Sequence, residues 1–178
     1  MAPEAPEGLA PERQLRRPPA GRPPGSAYEA AARYLAGRAH SRVELEGKLR
    51  RRGHDEEDVE AAVARLADLG YLDDAGFAES HVRRRSGTLG PLALSAELAA
   101  RGVDREVAGR AMAGLSREAQ LAAAMGLVAR QAARKRPAGY KELLDSAGAR
   151  LLRRGFSPGV AREACRAVWL GTVATPEA

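Results

Sequence analysis

Three Arg-Gly dipeptides, Arg52-Gly53, Arg101-Gly102 and Arg154-Gly155, constrain this chain more than any other feature. Glycine just past a helix end takes the left-handed cap conformation at little cost, so each pair reads as the close of one helix and the turn into the next. Counting from the glycines tests whether the turns belong to one repeated unit. Four residues before them stand Leu49, Leu98 and Leu151; ten after stand Val63, Met112 and Cys165; thirteen after stand Leu66, Leu115 and Val168. The apolar positions coincide, so a helix, cap, helix unit occurs three times.

The glycines are 49 and 53 residues apart, which leaves room for a further helix before each pair. Tyr28 and Phe77 both fall 25 residues before their glycine, while the corresponding helix of the third unit, near 117–134, is offset by about four residues. From Ser26 onward Ala, Leu, Arg and Glu dominate, all strong helix formers. Ser41 with Glu44 reads as a capping box, Asp55 caps a turn holding Glu56, Glu57 and Asp58, and Ser157 precedes Pro158 at a helix start. Asp74 is expected to cap the helix carrying Phe77 and Val82, and Gly90-Pro91 to open the next. Residues 1–25 hold seven of the eleven prolines and have no periodicity, the signature of disorder. The expected fold is all-α: an elongated tandem array of three three-helix repeat modules with a disordered N-terminal tail. The boundaries are 1–25 for the Pro-rich tail, 26–70, 71–115 and 116–172 for the modules, and 173–178 for a C-terminal tail.

A net charge of +6 favours an acidic partner. The charge is uneven: residues 116–178 carry 11 basic and 5 acidic side chains, whereas 26–69 carry 8 and 9 and 70–115 carry 6 and 6. Arg134, Lys135 and Arg136, with Arg153 beside Arg154, make the third module the best candidate for an acidic contact. Arg50, Arg51, Arg83, Arg84 and Arg85 are further candidates, although cations at a helix C-terminus are also favoured by the helix dipole. Arg52, Arg101 and Arg154, repeating beside the glycines, read as structural. Seven aromatics are too few for the stacking platform of a single-strand binder.

Catalytic and metal signatures are missing from the sequence. His40, His54 and His81 stand in different elements without metal-ligand spacing, and no phosphate loop, dinucleotide fingerprint or nucleophile elbow occurs. Asp73-Asp74 reads as helix-start chemistry. Cys165, the one cysteine, occupies the position of Val63 and Met112 and reads as a buried apolar residue. A lone cysteine forms no intrachain disulfide, and no apolar run approaches the roughly 20 residues of a membrane span. The expectation is a cytoplasmic monomer that is not an enzyme and needs no cofactor or metal.

The stretch GYLDDAGFAESHVRRR, residues 70–85, resembles the signature joining the first two modules of the RecX family of bacterial recombination regulators. The preceding AARYLAGRAHSRVELEGKLRRRGHDEEDVEAAVARLADLGYLDD is similar to a RecX first repeat almost throughout. The resemblance covers residues 27 to about 170 and is weaker over the third module. It implies a non-enzyme of tandem three-helix repeats that lies in the groove of the RecA filament and restrains ATP hydrolysis, strand exchange and co-protease activity, in recombination and the SOS response. Some members also bind DNA, so single- or double-stranded DNA is the alternative partner. Leu72, Asp73, Asp74 and Phe77 match the family's linker motif, with capping and packing as their physical role; Gly53, Gly102 and Gly155 are the structural turn residues. In the second module Glu97 stands where the others carry Lys48 and Arg150, a departure that weakens its share of a basic surface.

Overall fold

A computed structural model describes residues 25–174, with side chains as far as Thr172; apart from these end residues, the two expected tails lie outside the described residues. Nine helical rods make up the described chain. They are α1 (Ala27–Gly37), α2 (Arg42–Arg51), α3 (Glu56–Asp68), α4 (Asp74–Arg85), α5 (Pro91–Ala100), α6 (Arg105–Met112) and α7 (Arg117–Lys135). Then comes α8, in which Tyr140–Leu143, a π-helical turn Leu144–Gly148 and Ala149–Arg153 run on as one rod, and α9 (Pro158–Ala174).

The rods pack in threes around separate cores. The first core holds Ala30, Ala31, Leu45, Leu49, Val59, Val63, Leu66 and Leu72. The second is built on Phe77, Val82, Leu98 and Val103, and the third on Val128, Leu143, Leu151, Phe156 and Cys165. Leu49, Leu98 and Leu151 are each buried in their own core, as the glycine register requires. The result is an elongated file of three-helix bundles. Leu72 packs into the first core, so the chain leaves that unit between Leu72 and Asp73, slightly later than the sequence division suggests.

Each middle helix ends in the same turn. Gly53, Gly102 and Gly155 have φ of 93°, 73° and 79°, in the left-handed region where a Cβ is costly. The next residue's N–H then reaches back to a leucine carbonyl five positions earlier: His54 to Leu49, Val103 to Leu98, Phe156 to Leu151. This bond closes the helix and swings the chain into the third rod.

The turns also join the units. The Ser41 hydroxyl, at the start of α2, donates to the Arg101 carbonyl at 2.5 Å, and the Arg101 guanidinium reaches Glu44 at 2.6 Å. One unit further on, the Gly90 and Leu92 N–H groups, at the start of α5, donate to the Arg154 and Gly155 carbonyls at 2.8 and 3.2 Å. In both junctions the last carbonyls of a middle helix accept from donors at the N-terminus of the middle helix before it, a serine hydroxyl in the first and two backbone N–H groups in the second. The three middle helices therefore meet end to end, the C-terminus of α8 on the start of α5 and the C-terminus of α5 on the start of α2.

Four extra residues lie in the third unit, and they lie in α8. The N-cap stands 12 residues before the glycine in the first two units and 16 in the third, from Gly139 to Gly155. Four α-helical residues rotate the chain by about 40° beyond a full turn. The π-turn, being wider, takes up that excess and keeps Leu143, Ala147 and Leu151 on the core side.

Three expected caps differ in detail. Asp73, not Asp74, is the N-cap of α4, accepting from the Ala75 N–H at 2.9 Å. Asp74 instead accepts from the Arg42 N–H of the first unit at 2.9 Å, so the neighbouring bundle decides which of the two carboxylates caps. Asp55 holds the N-cap position without a side-chain cap bond. Ser41 accepts from the Glu44 N–H, but the Glu44 carboxylate is turned to Arg38 and Arg101; the reciprocal box is made by Ser26 and Glu29.

Space is the second reason for glycine in these turns. A Cβ on Gly102 would overlap the Val43 side chain, and one on Gly155 would overlap the backbone of Ala93. Gly102→Ala and Gly155→Ala are each expected to cost about 2 kcal/mol or more, combining left-handed strain with lost seating. Denaturant unfolding of each variant measures this, and a change below about 0.5 kcal/mol at both positions would remove the turn from its place in the junctions.

Candidate partner-binding surface

Helical spacing gathers cations into one cleft. Arg130 and Arg134 stand four apart on α7, and Arg150 and Arg154 four apart at the end of α8, so each pair projects from one face of its rod. Where α7 and α8 pack, these four with Lys135 line a cleft of about 450 Å³ whose rim reaches Thr88 of the second unit. Leu127, Val128 and Leu151 form its apolar floor, and no carboxylate lines it. Arg154 donates to the Thr88 carbonyl at 3.2 Å, which ties the cleft wall to the junction between the units.

Such a cleft favours an anion. Like charges held together repel, and low-dielectric walls focus their field outward. A carboxylate or phosphate group entering it relieves that repulsion. The acidic side chains of the third unit are engaged elsewhere: Asp145 pairs with Lys141, Glu163 with Arg117, Glu142 accepts from the Ala138 N–H, and Glu118 hydrogen-bonds to Ser116 and to its own backbone at the start of α7.

The sequence-selected cations divide by how they are held. Arg134 and Lys135 line the cleft. Arg136 and Arg153 are exposed outside it; Arg136 ends α7 in a left-handed conformation, φ 43°, just before Pro137, which disfavours continued helix at that residue. Arg50 is bound by Glu56 through its Nε at 2.7 Å and also by Glu46 at 3.4 Å; its hydrogen bonds to Glu56 raise its pKa. Arg85 is bound by Glu97 at 2.8 Å, and that hydrogen bond raises its pKa. Arg83 donates to Ser80, while Arg51 and Arg84 are exposed. Arg130 and Arg150 are cleft residues that stand outside the contiguous basic runs, and their i, i+4 spacing to Arg134 and Arg154 was the available signal; Arg154, which the sequence places beside Arg153 and which reads as structural, lines the cleft as well.

Of the turn arginines expected to be structural, Arg101 and Arg154 are, each in a junction. Arg52 differs, for it begins the file and no described unit lies before it; its side chain is exposed and has no partner among the described residues. Lys48 sits 4.7 Å above the Tyr34 ring, a cation–π contact within the first unit.

The departure at Glu97 has a local explanation. His81, buried in the second core, places Nε2 2.7 Å from the Glu97 carboxylate, which also takes Arg85. The Arg85 hydrogen bond outweighs desolvation and, with the His81 bond, holds the Glu97 carboxyl below its ordinary value of 4.5. A group whose folded pKa is depressed stabilises above its unfolded pKa and loses that contribution as pH falls through the folded one. Glu97→Gln is therefore expected to melt lower than wild type at pH 7, with the difference shrinking in acid below the ordinary carboxylate range. Thermal melts across that range check it; a gap that widens in acid would reverse the sign.

Among the described residues no three His, Cys, Asp or Glu side chains come together as a metal site, and no helix is long and apolar enough to cross a membrane. Cys165 is buried, and burial raises its thiol pKa.

Comparison with known proteins matches this architecture. The family model described as RecX, first three-helix domain, matches residues 27–66, and RecX, second three-helix domain, matches residues 73–112. A protein of Mycobacterium ulcerans named Regulatory protein RecX is 37% identical over 152 residues, spanning 82% of this chain and 88% of that one. One of the same name from Stenotrophomonas maltophilia is 48% identical over 79 residues, 44% of this chain and 48% of that one. The crystal structure of RecX from Lactobacillus salivarius superposes with a TM-score of 0.72 at 27% identity, covering 81% of this chain and 95% of that chain. With identity sustained across most of both chains, and both matched domains falling on observed three-helix bundles, the chain belongs to the RecX family of regulatory proteins.

Proposed function

We propose that this protein is a cytoplasmic, non-enzymatic regulator that binds the RecA nucleoprotein filament and inhibits its ATP hydrolysis, strand exchange and co-protease activity, in recombination, DNA repair and the SOS response. Membership of the RecX family supports the partner, and the basic cleft between α7 and α8 is the observation that carries the mode of contact. A file of bundles suits a groove, and a cleft set at the meeting of the second and third units can take an acidic protein segment or nucleic-acid phosphates presented along it. A single chain engages the filament through Arg134, Lys135 and the neighbouring Arg130, Arg150 and Arg154. Arg51, Arg83, Arg84, Arg136 and Arg153 supplement them from the exposed surface. Arg50 and Arg85, already neutralised within their units, contribute least.

RecA ATPase on single-stranded DNA tests this reading. Reversal of Arg134 and Lys135 to Glu is expected to raise the concentration for half-inhibition about tenfold or more, the equivalent of losing roughly 1.4 kcal/mol. Arg50→Ala, which breaks an exposed intramolecular pair, is expected to change it less than about twofold. Equal inhibition by wild type and the cleft reversal would remove the cleft from the mechanism.

The same cleft favours a second reading, binding to DNA without RecA, because its cations have no carboxylate neighbours lining the wall. Each phosphate neutralised on duplex DNA steepens the dependence of log affinity on log salt by about 0.9. Cleft binding through three to five cations therefore predicts a slope of roughly −3 to −4.5, measured by anisotropy of labelled DNA. No binding at low salt would discard this reading.

A further inference from the structure

The end-to-end stacking of the middle helices leaves one half of the junction unused at each end of the file. At one end is the Arg52-Gly53 turn of α2. It has the same left-handed glycine as its two sisters, and no donor meets the Arg52 or Gly53 carbonyl among the described residues. At the other end is the start of α8. There the Gly139, Tyr140 and Lys141 N–H groups meet no acceptor among the described residues.

The two free halves match the occupied ones in shape and charge. Gly90 at the start of α5 is so close to the Gly155 turn that a Cβ would overlap it; Gly139 at the start of α8 has nothing within 4 Å of the same point. The small residue is in place and the seat is empty. In the first junction Glu44, the third residue of α2, is anchored by one oxygen to Arg38 at 3.1 Å and gives the other to the incoming Arg101 at 2.6 Å. Glu142, the third residue of α8, is anchored by one oxygen to the Ala138 N–H at 2.9 Å, and its other oxygen has no partner among the described residues. Arg52 is the exposed cation standing where Arg101 stands in its unit.

We propose that copies of this chain join end to end, the Arg52-Gly53 turn of one copy seating on the start of α8, Gly139 to Glu142, of another. The contact continues the spine: the C-terminus of α2 in one copy meets the N-terminus of α8 in the next, with opposite dipole ends facing and Arg52 paired to Glu142. It is a heterologous contact, since the two surfaces differ, so each added copy offers a fresh free end and the assembly lengthens. Because it rests on one turn and one ion pair, it is weak, and a dilute sample is monomeric. This departs from the monomer expected on sequence grounds, and it is independent of whether RecA is the partner.

Sedimentation velocity of the full chain at low salt tests it without any other protein. The wild type is expected to gain weight-average mass above 18.9 kDa as concentration rises. R52E, E142R and Gly139→Val, which fills the seat in open space, are each expected to stay at the mass of one chain. An equimolar mixture of R52E and E142R is expected to rise to the mass of a pair of chains, which neither reaches alone, because the intact turn of E142R meets the intact seat of R52E; that rise also shows that both variants are folded. A wild type that remains a single chain up to its solubility limit overturns the proposal. So do variants that associate as the wild type does.

Discussion

The left-handed glycine turn is the constraint on which the rest of this molecule depends. A middle helix must end within a few residues, send the chain back along its own bundle, and leave its last carbonyls facing outward. One positive φ does all three. Ordinarily the last carbonyls of a helix go to water. Here those of α5 and α8 find donors at the start of the preceding middle helix, so a local cap becomes the joint between domains. A residue with a side chain at Gly102 or Gly155 would fail twice, once on dihedral grounds and once by overlap with the neighbouring unit.

Electrostatics then sort the units by task. In the second unit Glu97 pairs with the exposed Arg85 and takes a hydrogen bond with the buried His81, which stabilises a bundle whose core is smaller than its neighbours'. In the third unit the carboxylates turn to Lys141, Arg117, a loop N–H and the start of α7, none of them into the cleft, and the cations of α7 and α8 are left facing one another. Charge compensation inside one bundle and its absence in the next produce a basic cleft at one place rather than a uniformly positive surface. Such segregation suits a partner that must be engaged in register.

The fold was legible because its repeat is carried by residues that answer to backbone geometry. Three glycines and three leucines fixed the helix ends and the core faces, and the leucines are buried as that register requires. What escaped was whatever depends on residues far apart in the chain. Asp73 and Asp74 are both good caps, and only the Arg42 N–H from the other unit selects between them. The Glu44–Arg101 pair spans 57 residues and the Arg154–Thr88 bond 66, distances over which sequence alone gives no pairing. The cleft was half legible. The run Arg134-Lys135-Arg136 drew attention to the right region, but a helix distributes consecutive residues around its axis, so two of the three enter the cleft and Arg130, a turn earlier, joins them.

The same geometry bears on how a file of small bundles stays ordered. Each core is separate, so stability is a sum of unit terms and junction terms, as in other repeat proteins. The junctions are few in contacts but conserve their direction, because helix ends of opposite polarity meet only one way round. Bending at a junction changes the length of two or three hydrogen bonds and one Arg contact without opening either core. Bending at a junction is therefore inexpensive compared with unfolding of a unit. The cleft lies against the second junction, with Arg154 in both.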